Sequence, residues 1–309
     1  KKNIEIFYDY YDQVADFLYH QYQLTYIEGM NEAFNLLLDD QVKGTYKPED
    51  MDILQSLKSD LIDLEFEKEE IRKSVQLGML KGYKHTYSTN ALITPDSIGI
   101  FMAYLIQKLT RKDSVHTIFD PVVGSGNLIY TIANQLDGEY HIVGCDNDII
   151  KCNLARNLGD LLEYKNEMFY QDTLTFYHQG FDVVVCDLPL HEEGLYFPYQ
   201  VINHHLDSLK AGGFFFALIE NDFFEQVGND IFKQEVDTKA HIFGLIKLSE
   251  TLFKSNPKSI LILRKKGEHI HIPKEFLLVD LPRFTDIEGM ESTIEKINSW
   301  ITLREDDIL

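Results

Sequence analysis

The sequence predicts an α/β fold: a mainly parallel sheet with helices on both faces, entered through a helical N-terminal domain. Three observations carry that expectation. Up to about residue 85 the apolar residues recur at helical spacing; from about residue 94 short apolar runs alternate with helix-length gaps; and a glycine turn joins the first of those runs to a helix.

Residues 4–38 read as helix, because Phe7, Tyr10, Tyr11, Val14, Phe17, Leu18 and Tyr22 fall at i, i+3, i+4, i+7 spacing. At that spacing the aromatics are read as core and not as base-stacking surfaces. Lys43 to Pro48 is a break, with Pro48 suited to a first helical turn. Leu54, Leu57, Leu61, Leu64, Ile71 and Val75 mark further helix to about Lys81, which puts a helical domain at residues 1–85 and the sheet domain at 86–309. Seven strands follow, at Thr117–Asp120, Tyr140–Cys145, Met168–Tyr170, Phe181–Cys186, Phe214–Ile219, Ile242–Leu248 and Ser259–Leu263. Five of the gaps have room for a helix, so six strands are expected to be parallel. The gap from Glu250 to Lys258 is too short for a helical crossover, so the last strand is expected to be an antiparallel edge strand. Leu277–Asp280 can form an extra strand and Met290–Leu303 a terminal helix.

Composition bounds the function. Apolar residues at 44% and charged residues at 26% are ordinary for a soluble globular protein, and no apolar stretch approaches the ~20 residues of a membrane helix. The N-terminal residues do not read as a signal peptide. The cysteines, Cys145, Cys152 and Cys186, lack Cys-x-x-Cys spacing, against both a zinc site and a disulfide framework. The expected location is the cytoplasm. A net charge of −21, from 29 basic and 50 acidic side chains, repels polyanions, so this chain alone should hold nucleic acid weakly.

In such sheets ligands bind at the carboxyl ends of the strands, near where strand order reverses. After the first strand comes Asp120-Pro121-Val122-Val123-Gly124-Ser125-Gly126, with a helix from about Asn127. Glycines let the backbone turn sharply and approach a ligand, and a helix N-terminus is electropositive. Ile129 stands where a dinucleotide fingerprint needs its third glycine, and the Gly-Lys-Ser/Thr of a P-loop is absent. After the second strand Asp146, about 20 residues past the turn, is placed to accept from both hydroxyls of a ribose. Asn147 adjoins it, and Asp148 is read as a helix cap. After the third, Asp172, followed by Thr173, can accept from an adenine amine. After the fourth, Cys186-Asp187-Leu188-Pro189-Leu190 takes the catalytic position of the sheet. His204, His205, His269 and His271 lack a metal-ligand partner set and are read as solvent-facing, the second pair along a strand. Arg264-Lys265-Lys266 is read as a solvated strand end. Lys254 and Lys258, in the final hairpin, are the basic residues available to a phosphate. No metal is expected.

This ordered set resembles the adenine-type DNA methyltransferases, particularly the methylase subunits of type I restriction–modification systems, and more closely the stand-alone YtxK-type methyltransferases of Gram-positive bacteria. The likeness spans roughly residues 85–266. Its most specific parts are Asp120-Pro121-x-x-Gly124-Ser125-Gly126 and Thr94-Pro95, which opens an amphipathic helix (Ile98, Phe101, Met102, Leu105). Leu209-Lys210-Ala211-Gly212-Gly213 and Asn256-Pro257-Lys258-Ser259-Ile260 are also similar. The resemblance implies a class I methyltransferase, Rossmann-like, seven-stranded sheet with a helical N-terminal domain, and S-adenosylmethionine as cofactor, with S-adenosylhomocysteine as product. It implies a cofactor site of Thr94, Pro95, Asp120, Pro121, Gly124, Ser125, Gly126, Asp146, Asn147, Asp172, Thr173 and Asp187, with the Thr-Pro segment beside the methionine end.

The chain departs from the family at the catalytic motif. Asn/Asp/Ser-Pro-Pro-Tyr/Phe is replaced by Asp187-Leu188-Pro189-Leu190. Asp187 keeps the carboxylate that binds the acceptor NH₂ and orients its lone pair, in-line positioning supplying most of the catalysis. The first proline's carbonyl becomes that of Leu188, and Pro189 is retained. The aromatic face that a flipped base needs is lost, with Tyr196, Phe197 or Tyr199 as replacements. The implied activity is methylation of the exocyclic amine of adenine in DNA, with a protein partner supplying target recognition. The alternatives are RNA or protein amines, or a catalytically weak cofactor-binding module acting through partners.

Overall fold

The computed structural model describes residues 2–86, 93–136, 138–189, 194–253 and 256–309. Four helices come first: α1 (Asn3–Tyr22), α2 (Tyr26–Asp39), α3 (Pro48–Lys58) and α4 (Lys68–Thr86). The single helix expected over residues 4–38 is two. Gln23 ends α1 in a left-handed conformation (φ 56°), and Thr25 and Glu28 cap α2 reciprocally. The Thr25 hydroxyl accepts the Glu28 N–H at 3.3 Å, and the Glu28 carboxylate accepts the Thr25 N–H at 2.8 Å. The capping box stops the helix although the hydrophobic period runs on through it. The expected second helix also divides, with a 3₁₀ turn at Ser59–Leu61 between α3 and α4. Phe7, Tyr10, Tyr11, Val14 and Leu18 are core, as their spacing requires.

The chain continues through α5 (Asp96–Leu109), β1 (Thr117–Asp120), α6 (Asn127–Gln135), β2 (His141–Asp146), α7 (Ile149–Leu161), β3 (Lys165–Tyr170) and β4 (Phe181–Asp187). Then come α8 (Phe197–Leu206), β5 (Leu209–Glu220), α9 (Asn229–Lys239), β6 (Ala240–Lys247), β7 (Lys258–Lys265), β8 (Leu277–Asp280), α10 (Ile287–Thr302) and α11 (Glu305–Ile308). All seven expected strands form, and β8 makes an eighth. The order is β3-β2-β1-β4-β5-β7-β6-β8, with β7 antiparallel to both neighbours and the other pairs parallel. The antiparallel strand is therefore inside the sheet and not at its edge. The β6–β7 hairpin folds β7 back beside β5, where Ile260 to Leu263 are buried, and the edges fall to β3 and β8. Four crossovers, not five, carry an α-helix. Between β3, which ends at Tyr170, and β4, which starts at Phe181, there is only a 3₁₀ turn, and Phe176 after it packs on Phe119 with ring centroids 5.4 Å apart.

Alternate residues of β4 and β5 serve opposite faces. Val183, Val185, Phe214 and Phe216 join a core that takes in α5, α6, α7 and the N-terminal helices; Val184, Cys186, Phe215 and Ala217 join a second core under α8 and α9. Tyr11, Phe34 and Met79 thus share apolar packing with the sheet.

Two surface assignments are corrected by burial. Arg264 is 8% exposed, and its guanidinium donates to the carbonyls of Gly212 (3.2 Å), His271 (3.0 Å), Asp307 (3.2 Å) and Ile308 (2.8 Å), tying α11 to the sheet. His205 shares the inner face of α8 with Val201, Ile202 and Leu206, so it is buried and not solvent-facing. Its Nε2 lies 2.7 Å from the Thr173 hydroxyl and 3.1 Å from the Thr173 carbonyl, and burial pushes its pKa down to about 3. His269 and His271 are exposed, but in the turn after β7 and not on a strand.

Candidate functional site

Strand order reverses between β1 and β4, so the crevice opens over the carboxyl ends that carry Asp120 and Asp187. Beyond β1 the chain turns through Gly124 (φ 56°) and Gly126 (φ 89°), a conformation that favours glycine, and enters α6 at Asn127. A Cβ built on Gly124 meets nothing within 4 Å, so the space over the turn is open to a ligand. The Asp146 carboxylate lies against this turn, accepting the N–H of Gly124 at 2.8 Å and of Asp148 at 3.0 Å. Burial raises its pKa. Asp148 caps α7 by accepting from Ile150 and Lys151, and Asn147 is exposed beside it. Asp120 is buried, with Pro121, and accepts the Val122 N–H at 3.0 Å. Burial above all, then the charges of Asp146 and Asp187, holds its pKa well above the carboxylate range.

At the end of β4 the two oxygens of Asp187 have different partners. Oδ2 accepts from the Thr94 hydroxyl at 2.7 Å, and Oδ1 is paired with the ammonium of Lys258. The two side chains of this ion pair are 26% and 20% exposed. Lys258 reaches Asp187 because β7 runs against the parallel strands, so that its first residue stands at their carboxyl edge, opposite Glu220 of β5. It is a partner of Asp187 and not a free phosphate contact. Pro95 precedes α5, Leu188 is buried with its N–H on the Leu218 carbonyl (3.3 Å), and Pro189 is exposed. Leu190 and Lys254 lie outside the described residues.

Other expected residues stand further off. Asp172 is exposed and caps the 3₁₀ turn through the Leu174 N–H at 3.0 Å, while the Thr173 hydroxyl faces inward to His205. Tyr199 is core, stacked on Phe232 at 4.3 Å, and is not an open stacking face. Tyr196 is half-buried and edge-on to Tyr199 (4.7 Å) and Phe223 (5.9 Å), its hydroxyl buried without a hydrogen-bond partner among the described residues. Phe197 is partly buried against the α8 core. Among the described residues no group of His, Cys, Asp and Glu is arranged to hold a metal, and no helix is long and apolar enough to cross a membrane.

Two residues near the turn escaped the sequence reading. The Ser125 hydroxyl shares a hydrogen bond with that of Tyr83 in α4. Arg72, also in α4, is fully buried and bonded to Glu69, Asp96 and Asn127. An arginine in register with buried Val75 and Met79 was the available signal.

Known proteins resemble this chain in both sequence and fold. A family profile described as the YtxK N-terminal helical domain matches residues 5–83. The uncharacterised protein YtxK of Bacillus subtilis (strain 168) is 31% identical over 323 residues, spanning 97% of this chain and 98% of the relative. A crystal structure from Listeria monocytogenes, described as a candidate class I S-adenosylmethionine-dependent methyltransferase, superimposes with a TM-score of 0.87 at 32% identity, covering 97% and 99% of the two chains. A modification subunit of a candidate type I restriction enzyme from Vibrio vulnificus matches with a TM-score of 0.60 at 13% identity, covering 80% of this chain and 61% of that one, a likeness of fold alone.

Proposed function

This chain belongs to the YtxK-like family, and from that membership we propose an S-adenosylmethionine-dependent methyltransferase whose acceptor is the exocyclic amine of adenine in DNA. One observation carries the reading: at the carboxyl end of β4, beside the switch crevice, Asp187 offers a partly exposed carboxylate oriented by the Thr94 hydroxyl. The residues present suit the cofactor. Open space over Gly124, the N-terminus of α6 and the Asp146 carboxylate against the turn are what a ribose with a charged amino-acid tail needs.

When bound, S-adenosylmethionine supplies an electrophilic methyl group on a sulfonium sulfur. Asp187 accepts from the NH₂ of the acceptor and so directs the nitrogen lone pair, and the Leu188 carbonyl is the second acceptor. Thr94 holds the carboxylate plane. Methylation leaves the nitrogen with a proton to lose, and Asp187 is placed to receive it. A partner protein supplies target recognition, since the net charge of −21 gives the chain little hold on DNA. A second reading, a catalytically weak cofactor-binding module acting through partners, is favoured by the ammonium on Asp187 and the replaced aromatic.

The test pairs radiolabelled methyl transfer with methylome sequencing of a strain with and without the gene. Asp187→Ala is expected to abolish transfer, while its S-adenosylhomocysteine affinity stays within about twofold by calorimetry; Asp146→Ala is expected to weaken that affinity about 10- to 100-fold. A wild type silent on DNA, RNA and protein, and indistinguishable from Asp187→Ala, establishes the second reading. Binding of NADH without S-adenosylmethionine overturns both.

A further inference from the structure

We propose that the N-terminal helices form the second wall of the cofactor site, with Tyr83 and Arg72 as positioning residues that set cofactor affinity through the glycine turn. The inference rests on the reading that the cofactor binds over Gly124–Gly126.

Three ties join the helices to the cofactor loops. Ser125 is the only residue with a side chain in the Gly124–Gly126 turn, and its hydroxyl is held by Tyr83, which is 7% exposed. Arg72 is 0% exposed, so its charge has to be met within the fold. Its guanidinium donates to Glu69 (2.7 and 2.8 Å), to both oxygens of Asp96 (3.1 Å each) and to Asn127 Oδ1 (3.0 Å). Asp96 opens α5 directly after Thr94-Pro95, and Asn127 opens α6 directly after the turn. One planar fork therefore fixes the origins of the two helices that flank the crevice. Asn31 of α2 donates to the Ile150 carbonyl at 3.2 Å and accepts from Asn157 at 3.1 Å, anchoring α7, which starts behind the Asp146 loop.

The consequence is energetic. A turn with two left-handed glycines has wide backbone freedom, and a ligand that needs it ordered loses affinity to that ordering. Anchoring Ser125 and Asn127 from outside removes the cost before the ligand arrives.

Calorimetry with S-adenosylhomocysteine on the full chain, in a double-mutant cycle, tests this. Tyr83→Phe and Ser125→Ala are each expected to weaken binding about fivefold, and the double variant no more than either single, because both delete one hydrogen bond. Urea midpoints should move little in all three, which separates positioning from general destabilisation. Arg72→Lys keeps the charge but loses the fork, and is expected to weaken binding about tenfold or more where it folds. Unchanged affinity in Tyr83→Phe, or additive losses in the cycle, overturns the inference while leaving the proposed function intact. A wild type that binds no S-adenosylhomocysteine overturns the proposed function itself.

Discussion

Lys258 lays its ammonium on one oxygen of Asp187, 71 residues earlier in the chain, while the Thr94 hydroxyl donates to the other. Each oxygen thus holds a donor, and under the proposed function an acceptor amine must share the carboxylate with Lys258 or displace it. The side chains of the pair keep 26% and 20% of their surface open to solvent, so an amine can reach the carboxylate and compete with the ammonium for it.

Lys258→Met is accordingly expected to lower KM for the acceptor up to about fivefold, with S-adenosylhomocysteine affinity and urea midpoint nearly unchanged. Steady-state kinetics on DNA decides it. A raised KM would mean that Lys258 contacts the substrate and is not its competitor.

Asp120 carries a pH dependence. Its folded pKa is raised by burial, so its favourable contribution is present below the unfolded value of about 3.9 and is lost as pH rises through the folded value. Asp120→Asn cannot ionise. Its stability relative to wild type is expected to improve as pH rises above the unfolded value of about 3.9, read from urea midpoints. A gap that does not change with pH would show that Asp120 is ionised in the fold just as it is in the unfolded chain.

His205 has the opposite sign. Its folded pKa is depressed to about 3, so the unfolded chain binds the extra proton first, and stability falls as pH drops from about 6.5 towards 3. Replacing it with Gln should remove about 1.4 kcal/mol per pH unit from the acid slope of the unfolding free energy. An unchanged slope would place the imidazole in contact with solvent.

The acidic balance bears on DNA. With a net charge of −21, Lys258 engaged and Glu220 and Asp222 beside it, the chain alone is expected to bind DNA no tighter than micromolar at about 150 mM salt, without sequence preference. Fluorescence anisotropy showing a nanomolar, sequence-specific complex would contradict this.

What could be read from the chain alone was local. The run Phe181–Cys186 is a strand because β-branched and aromatic residues fill it, Asp148 caps α7 because its side chain reaches the next N–H groups, and Gly124 and Gly126 turn because their φ values are positive. Each of these depends on neighbours a few residues away. The capping box at Thr25 and Glu28 was equally local, and the continuing hydrophobic period masked it.

The sequence by itself therefore determined the strands, the helices that link most of them, and the loops that meet at the carboxyl ends. Tertiary structure alone decided which side chains face one another there. Lys258 finds Asp187 only because β7 enters the sheet inverted beside β5; Tyr83 finds Ser125 and Arg72 finds Asn127 only because α4 packs on the start of α6. Arg264 and His205 are buried for the same reason, one beneath α11 and the other against Phe119. Local propensity fixes a residue's backbone, but the partner of a charge or hydroxyl is set by long-range packing, and no short window of sequence contains both members of the pair.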